Sequence, residues 1–349
     1  MDIPLTLENK AFLLSVGTVS IDPSLVPPQR KSTAGPGAGT AGSVFFRSGG
    51  RRVRLTIDPA SPLSIFPVSG AEEDPGKDRR SVSVAVFYGK DLIATGVLER
   101  PPAHCPGQAY LNISERCIFN CRYCSVPKLA GKVKSKEEIL EIVQEAWENG
   151  PVEAISITSG VAVSPEDELE KVLAVLPDLL KYGVPVGVSI YPTADSSERL
   201  KKAGVSEVKY NLESPDREIF GKVCPELSYD EIMASLKEAV TYFGKGNVYT
   251  NMIAGLGETD EAFEERLEEL AQIGVMTDIR PVSVNPLRRG ECFMEKPSAE
   301  RLLKLFGIQE RICLKYGLRP DRAKTLCAKC GGCDLVCLTD SGKTDSFGR

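Results

Sequence analysis

The chain has 349 residues, of which 42% are hydrophobic and 26% charged, and its net charge is −5. This composition predicts a globular protein with a substantial core, and the acidic balance excludes a nucleic-acid partner, whose phosphates require a basic stripe. The first residues show no signal or membrane-span pattern, so we expect a cytoplasmic protein without a membrane partner. Thiols stay reduced in that compartment, and the eleven cysteines therefore predict metal ligands rather than disulfides.

The sequence of residues 1–107 shows no helical periodicity. We therefore expect a small β-rich accessory segment. Residues 27–43 are rich in Pro, Gly, Ser and Thr, and we interpret them as a flexible linker because they lack the Lys-Ser/Thr of a phosphate-binding loop. Three candidate strands lie beside the linker, separated by Gly, Pro and Asp: SVFFRSG, RRVRLTID and SVSVAVFYG. The segment carries no motif with a recognisable chemical role.

Residues 108–317 alternate between apolar strands and helical patterns in six units. The predicted strands are AYLNIS, VEAISIT, PVGVSIY, SEVKYNL, NVYTNMIAG and MTDIRPVSV. Several of the helical stretches open with Ser-x-x-Glu or Pro-Glu and close on Gly, as helix capping requires. Six such units predict the α/β class, with a parallel sheet curled into a partial (β/α)6 TIM-like barrel. Chemistry in such folds gathers at the C-terminal edge of the strands.

Three cysteines follow the first predicted strand with C-x3-C-x2-C spacing: Cys117, Cys121 and Cys124. A structural zinc ion normally takes four protein ligands, and three buried structural cysteines would not explain such short spacing on one loop. Soft thiolates at this spacing suit an iron–sulfur cluster. Three ligands would leave one iron free to bind a small molecule.

A second group of cysteines lies in residues 318–349, with C-x2-C-x2-C-x3-C spacing: Cys327, Cys330, Cys333 and Cys337. The run matches that of bacterial ferredoxins, except that Leu338 replaces the usual Pro. It predicts an auxiliary iron–sulfur cluster, and zinc or a single iron on four thiolates is the alternative. Either the last cysteine of the run closes the cluster, or the fourth ligand is Cys313 or Cys105. We expect this group on a short mobile loop over the barrel mouth.

The first cysteine motif, with an aromatic residue before its last cysteine, resembles the signature of the radical S-adenosylmethionine (SAM) superfamily. Four further stretches resemble its motifs in order: TSG (158–160), YNLES (210–214), MIAGLGET (252–259) and VNPLRRG (284–290). The resemblance covers residues 108–290. It implies that the three cysteines hold a catalytic [4Fe–4S] cluster. It also implies a set of cofactor-binding residues, namely Tyr123, Ser159, Gly160, Asn211, Glu213, Gly255, Gly257 and Glu258.

In the superfamily, the open iron binds the amino and carboxylate groups of SAM, and an electron from the cluster splits SAM into methionine and a 5'-deoxyadenosyl radical. YNLES and the second cysteine group resemble the biotin synthase and lipoyl synthase branch, and the whole chain resembles one subunit of the split, two-subunit lipoyl synthases. This implies an anaerobic transferase that inserts sulfur from the auxiliary cluster into a protein-bound octanoyl group. The implied partners are an electron donor such as ferredoxin or flavodoxin, a related radical SAM chain and a lipoyl carrier protein.

The residues at the predicted strand ends are consistent with that resemblance. Asn211 and Glu213 alternate with apolar residues, which predicts one face of a buried strand, and a buried carboxylate needs partners such as ribose hydroxyls. Gly255 and Gly257 would let the backbone approach a flat adenine. The only histidine, His104, precedes the predicted barrel, so we expect no histidine acid–base chemistry.

Two alternatives to sulfur insertion remain open. One is a radical SAM enzyme of other C–H chemistry, in cofactor biosynthesis or peptide modification, whose auxiliary cluster relays electrons. The other is a ferredoxin-like electron carrier or cluster scaffold. The strand-end motifs favour an enzyme, since an electron carrier needs none of them around its cluster.

Overall fold

A computed structural model describes residues 3–26, 42–68, 82–102 and 104–336. The predicted linker at 27–43 lies outside the described residues apart from its last two, and so does Cys337. The described residues contain two β structures, a closed six-stranded barrel and a six-stranded open sheet.

The first six strands form the closed barrel, in the order β1-β3-β2-β6-β5-β4. They are β1 (Thr18–Ile21), β2 (Ser43–Ser48), β3 (Arg51–Ile57), β4 (Leu63–Pro67), β5 (Val82–Tyr88) and β6 (Asp91–Glu99). β1 pairs in parallel with β3 and β4, and the remaining pairs are antiparallel. The three strands predicted in this region correspond to β2, β3 and β5, and their apolar residues line a separate hydrophobic core.

The other six strands form a sheet in which every neighbouring pair is parallel and the order follows the chain. They are β7 (Gln108–Asn112), β8 (Ala154–Thr158), β9 (Val186–Ser189), β10 (Glu207–Lys209), β11 (Val248–Ala254) and β12 (Met276–Pro281). This confirms the predicted partial TIM-like barrel. Because all six strands point the same way, their C-terminal ends share one edge.

Nine α-helices occur in the described residues. They are α1 (Leu7–Val16), α2 (Lys136–Asn149), α3 (Pro165–Leu179), α4 (Ser196–Lys202), α5 (Arg217–Val223), α6 (Tyr229–Phe243), α7 (Asp260–Ile273), α8 (Ala299–Tyr316) and α9 (Leu326–Cys330). Short 3-10 turns lie at Pro23–Leu25, Val126–Lys128, Leu180–Tyr182, Pro286–Arg288 and Pro320–Arg322. The predicted capping chemistry is confirmed at α2, where Ser135 and Glu138 form a reciprocal capping box.

The helix α1 contradicts the expectation that residues 1–107 contain no helix. It begins after Thr6, whose hydroxyl accepts a hydrogen bond from the Asn9 amide, and it ends at Gly17 in the left-handed conformation. The helix packs against both β3 and α8. Its apolar residues therefore do not gather on one face, and the helical period that reveals a surface helix is missing.

The C-terminal segment does not lie over the barrel mouth, so that expectation is wrong. The backbone N–H and hydroxyl of Thr325 donate to Glu207 Oε2 at 2.8 and 2.6 Å, and the amide of Leu326 donates to Ser156 Oγ at 2.8 Å. A Cβ atom on Gly187 would lie 2.0 Å from Thr325 Oγ1. Side chains alternate along a strand, so α9 covers the face of the sheet opposite the one that carries the helices. Its anchors are in the N-terminal halves of β9 and β10 and the middle of β8.

Candidate functional site

The loop after β7 carries the first three cysteines, all partly exposed: Cys117, Cys121 and Cys124. Backbone hydrogen bonds fix this loop on two sides. The amide of Ile118 donates to Val161 O at 2.7 Å, and the amide of Arg122 donates to Val223 O at 2.8 Å. The loop is thereby held between the chain that leaves β8 and the end of α5, at the C-terminal edge of the sheet.

The chemistry of this loop fits a cationic group bound by sulfur. Burial raises the pKa of Cys117 and raises the pKa of Cys124 to about 12, and the neighbouring thiols add to both shifts. The pKa of Cys121 is raised by a hydrogen bond with Cys224 and by burial. Three thiolates so close together need a cation to balance them, and metal binding drives the loss of their protons.

A cluster fits the cysteines better than a single metal ion does. Across the described ranges, no three His, Cys, Asp or Glu side chains converge as ligands of one ion. A lone zinc requires all of its sulfurs at about 2.3 Å from one point, whereas each thiolate of an iron–sulfur cluster binds its own iron. The first three cysteines therefore suit a cluster, and zinc or a single iron stays the alternative at the second cysteine group, whose Cys337 lies outside the described residues.

Ser159 and Gly160, which we predict to contact SAM, also hold the cysteine loop in place. The amide of Gly160 donates to Ser114 O at 2.9 Å, and a Cβ atom there would lie 2.1 Å from the carbonyl oxygen of Arg116. The hydroxyl of Ser159 donates to Glu168 at 2.8 Å and accepts from the amide of Ser114 at 3.0 Å. Only glycine fits at position 160 without moving the loop.

Glu168, on α3, is a supporting residue that the sequence analysis missed. Its carboxylate is 1% exposed and accepts hydrogen bonds from the hydroxyls of Ser114 and Ser159, from the amide of Ala162 at 3.0 Å and from Lys171 at 2.9 Å. It stands among other acids in the first turn of α3, where acids commonly interact with the helix dipole. The available signal was its place just before Leu169, on the buried side of the helix.

Glu213 lies beyond its strand, so the predicted strand position is wrong for it and for Asn211. β10 ends at Lys209, and Glu213 adopts a φ of 65°, in the left-handed region. Its carboxylate accepts hydrogen bonds from Asn251 Nδ2 at 2.9 Å and from the hydroxyl of Tyr123. Burial raises its pKa. A non-glycine residue held in this conformation costs about 1 to 3 kcal/mol and is typical of functional sites.

Buried amide oxygens without partners mark the same edge of the sheet. Within the described residues, the Oδ1 atoms of three asparagines are buried without hydrogen-bond partners: Asn112 ends β7, Asn211 follows β10, and Asn251 lies in the middle of β11. Buried side-chain polar atoms are nearly always hydrogen-bonded in native proteins. Three such acceptors at one edge therefore fit a ligand that carries several donors, as the amino groups and ribose hydroxyls of SAM do.

Glu258 holds the glycine-rich turn after β11 together. Both carboxylate oxygens of Glu258 accept from backbone amides of this turn, those of Gly255 and Leu256, at 2.7 Å. A Cβ atom on Gly255 would lie 2.1 Å from Glu295 O, whereas one on Gly257 would lie 3.5 Å from the ring of Phe293. Gly255 thus makes room for a neighbouring backbone, and Glu258 stabilises the turn.

The VNPLRRG segment reaches the cysteine loop through Arg288, a fully buried residue. Its Nε donates to Cys124 O at 2.6 Å and its Nη1 to Glu291 at 2.6 Å. Its Nη2 is buried without a hydrogen-bond partner. A cation therefore lies directly behind the last cysteine of the motif.

The second cysteine group lies on the inner face of the sheet. Cys327 and Cys330 belong to α9, and Cys327 Sγ lies 3.5 Å from the hydroxyl of Tyr110. The guanidinium of Arg280, on β12, interacts electrostatically with Cys327 and Cys333 on one side and with Glu213 on the other.

Arg280 is thus close enough to interact with both the second cysteine group and Glu213. Its Nε and Nη2 atoms are buried without hydrogen-bond partners. Its nearest carboxylate, Asp278, is 3.6 Å away and already paired with Lys209. The sequence analysis missed Arg280, although a lone arginine in an apolar strand was a usable signal.

His104 packs edge-on against Phe45 and Tyr110. Burial, with help from Arg54 and Arg280, lowers its pKa to about 3. The imidazole is therefore neutral near pH 7.

Comparison with known proteins relates this site to one family. Residues 111–270 match the model of the radical SAM superfamily. The ribosomal protein uS12 methylthiotransferase RimO of Caldanaerobacter subterraneus is 25% identical over 242 residues, which is 64% of this chain and 54% of that protein. The biotin synthase of Pelotomaculum thermopropionicum is 32% identical over 186 residues, 50% of this chain and 57% of that protein. The chain spans about half the length of the curated relatives it matches.

Among solved structures, the FeFe-hydrogenase maturase HydG from Carboxydothermus hydrogenoformans aligns with 60% of this chain and 52% of its own, with a TM-score of 0.48 and 21% sequence identity. Separately, none of the helices in the described ranges combines the length and apolar character needed to cross a bilayer.

Proposed function

We propose that this chain, in which residues 111–270 form a radical SAM domain with relatives named biotin synthase and RimO, is an enzyme that inserts sulfur at an unactivated carbon. One observation carries the proposal. Three partly exposed cysteines on the loop after β7 share the C-terminal edge of the sheet with Glu213 and with three buried amide oxygens that lack partners. A protein that only carries electrons does not need buried hydrogen-bond acceptors for a ligand beside its cluster.

The residues at this edge have separate roles in the proposal. A bound [4Fe–4S] cluster and SAM supply a 5'-deoxyadenosyl radical, which takes a hydrogen atom from a C–H bond. Cys117, Cys121 and Cys124 hold the cluster. The Glu213 carboxylate, held in position by Asn251 and Tyr123, accepts hydrogen bonds from the ribose hydroxyls. Arg288 supports the loop from behind.

Sulfur insertion is supported by the second cysteine group on the inner face of the same sheet. We infer that this group would hold an auxiliary cluster, which could supply the sulfide for the new C–S bond and take up the electron that the carbon radical gives up when that bond forms. Each bond formed consumes one SAM and one electron from a donor such as ferredoxin or flavodoxin. The names of the relatives, biotin synthase and methylthiotransferase, favour this chemistry over simple hydrogen abstraction.

We further propose an octanoyl group on a lipoyl carrier protein as substrate, with a related radical SAM chain as partner. The support is an apolar rim around the C-terminal edge, formed by exposed side chains of the loops after β7, β8 and β12: Ile118, Val163, Val284, Leu287 and Phe293. Exposed apolar groups that surround a polar site suit a protein-bound apolar substrate.

The burial of Arg280 favours a second candidate function. A buried guanidinium, two of whose nitrogen atoms form no hydrogen bond within the described residues, suits a small anionic substrate better than a neutral octanoyl amide. In that case the chain is a radical SAM enzyme of other C–H chemistry, and the auxiliary cluster relays electrons.

The test is to label the auxiliary cluster with 34S and to supply SAM, reductant and an octanoyl-carrier peptide, with and without the partner chain. The proposal predicts 34S in the product and about one product per cluster, and the Cys327/Cys330/Cys333→Ala variant serves as control. Unlabelled product, or many turnovers with the cluster intact, would point to electron relay. The absence of any thiolated octanoyl product would rule out the lipoyl assignment.

A further inference from the structure

We propose that Cys105 is the fourth sulfur ligand of the iron–sulfur cluster held by Cys327, Cys330 and Cys333. The inference rests on the auxiliary cluster of the proposed function, but it concerns only the ligands of that cluster. Cys105 lies 222 residues before the first of the other three, in the segment that connects the closed barrel to β7.

Cys105 packs close to cysteines of the C-terminal group. Cys105 and Cys330 belong to one buried cluster with Tyr110 and Leu326, and Cys327 packs against that cluster. Cys333 in turn interacts with both Cys330 and Cys327. Cys105, Cys330 and Cys327 therefore pack together between α9 and the segment before β7, with Cys333 close to them.

The position of Cys105 is fixed by the same residues that position α9. Cys105 is 1% exposed and forms an isolated β-bridge with Gln108. The side-chain amide of Gln108 donates to Leu326 O at 3.0 Å, while its oxygen accepts from Ser156 Oγ at 2.6 Å. The two sequence-distant parts of the thiol group are thus held against each other by hydrogen bonds that do not involve sulfur.

The charges around the four thiols suit an anionic cluster. Arg52 interacts electrostatically with Cys105 and Cys330, and its Nη1 donates to Cys330 O at 2.7 Å. Arg280 acts on Cys327 and Cys333, and Arg54 also acts on Cys333. Cations of this kind, placed around an iron–sulfur cluster, stabilise its thiolates and tune its potential.

The closed barrel supplies most of this positive environment. Arg52 and Arg54 lie on β3, and the amide of Arg54 donates to Gly332 O at 2.8 Å. Lys10, on α1, donates to Gly331 O at 2.9 Å and to Val336 O at 3.0 Å. The barrel of unassigned role would therefore form one wall of the second cluster site and supply its charge.

Two other cysteines, Cys224 and Cys313, are not surrounded by both thiols and cations. Cys224 interacts with Cys121, and Glu213 and Glu226 are the charged groups beside that contact. Cys313, on α8, has the acids Asp321 and Glu310 as its charged neighbours. Neither position offers several thiols together with cations.

The experiment measures iron and sulfide per chain in a background that lacks the first cluster, Cys117/Cys121/Cys124→Ala, after anaerobic reconstitution with ferrous iron and sulfide. Three single changes are added separately: Cys105→Ala, Cys337→Ala and Cys313→Ala. We expect Cys105→Ala to lose most of the iron and the four-iron Mössbauer signal, and the other two changes to leave both intact. Circular dichroism checks that each variant is folded.

A Cys105→Ser variant separates ligation from packing, because a serine oxygen can bind iron but alters its Mössbauer parameters. A shifted spectrum in this variant supports ligation. Full iron with an unchanged spectrum in the Cys105 variants, or loss of iron in Cys337→Ala, would overturn the inference. No iron in the background protein itself would instead refute the auxiliary cluster of the proposed function.

Discussion

At the scale of single residues, Glu213 is the side chain whose conformation and surroundings agree best on a functional role. It is buried, it has a left-handed backbone, and its partners are polar groups from two different segments. A residue selected for stability alone would avoid that backbone conformation, which glycine adopts more easily. The position of the Glu213 carboxylate is therefore best explained by a role in binding a ligand.

We expect Glu213→Gln to weaken SAM binding by about 1 to 3 kcal/mol, because a charge-assisted hydrogen bond is lost while the shape is kept. Equilibrium dialysis of SAM with the iron-loaded protein measures the change. Glu231→Gln, at an exposed carboxylate, is the matched control. Equal affinity in the two variants would remove Glu213 from the site.

Glu168 should matter for stability instead. Replacing it with Gln puts an N–H donor among hydroxyl and amide donors, so we expect a loss of about 1.5 to 3 kcal/mol in the free energy of unfolding. Urea denaturation measures the effect. Glu170→Gln, on the same helix with its side chain 60% exposed, should change stability by less than about 0.5 kcal/mol. A loss no larger than that of the control would contradict the assigned role.

At the scale of secondary-structure elements, two glycines let neighbouring segments approach the sheet. Gly160 admits the first cysteine loop, and Gly187 admits Thr325 before α9. We expect Gly160→Ala to lower iron at the first site and Gly187→Ala to lower iron at the second, because each Cβ would overlap an oxygen at 2.1 or 2.0 Å. Mössbauer spectra of the two variants distinguish the sites.

Gly307→Ala, in α8, provides the control, since its Cβ would meet nothing within 4 Å. It should keep both clusters. If either of the other two variants also kept the full iron content, the close approach at that glycine would not be required for its site.

The parts of the fold that the sequence predicted are those set by local chemistry. The six parallel strands and the α2 capping box at Ser135 follow from apolar runs and cap residues. The helix α1 was missed because it is buried on two sides, so no amphipathic pattern survives. The end of β10 and the position of Thr325 depend on contacts between distant segments, such as the hydrogen bonds that Thr325 donates to Glu207. No local sequence pattern encodes these contacts.

At the scale of the whole molecule, the closed barrel and the open sheet meet across the C-terminal segment. Lys10 is fully buried and donates to two carbonyl oxygens of that segment, on Gly331 and Val336. Lys10→Met should leave both acceptors unsatisfied, at about 1 to 3 kcal/mol each. Proteolysis should then release the segment faster, and iron at the second site should fall. The exposed Lys90→Met is the control, and equal proteolysis rates would contradict this role.

The most direct test of the central claim is SAM cleavage by the purified chain. After anaerobic reconstitution, the protein with dithionite and SAM should release 5'-deoxyadenosine and methionine, detected by mass spectrometry. The Cys117/Cys121/Cys124→Ala variant should fold and release neither. Equal 5'-deoxyadenosine from the variant and the wild-type protein, or none from a wild-type protein that carries its full first cluster, would contradict the claim.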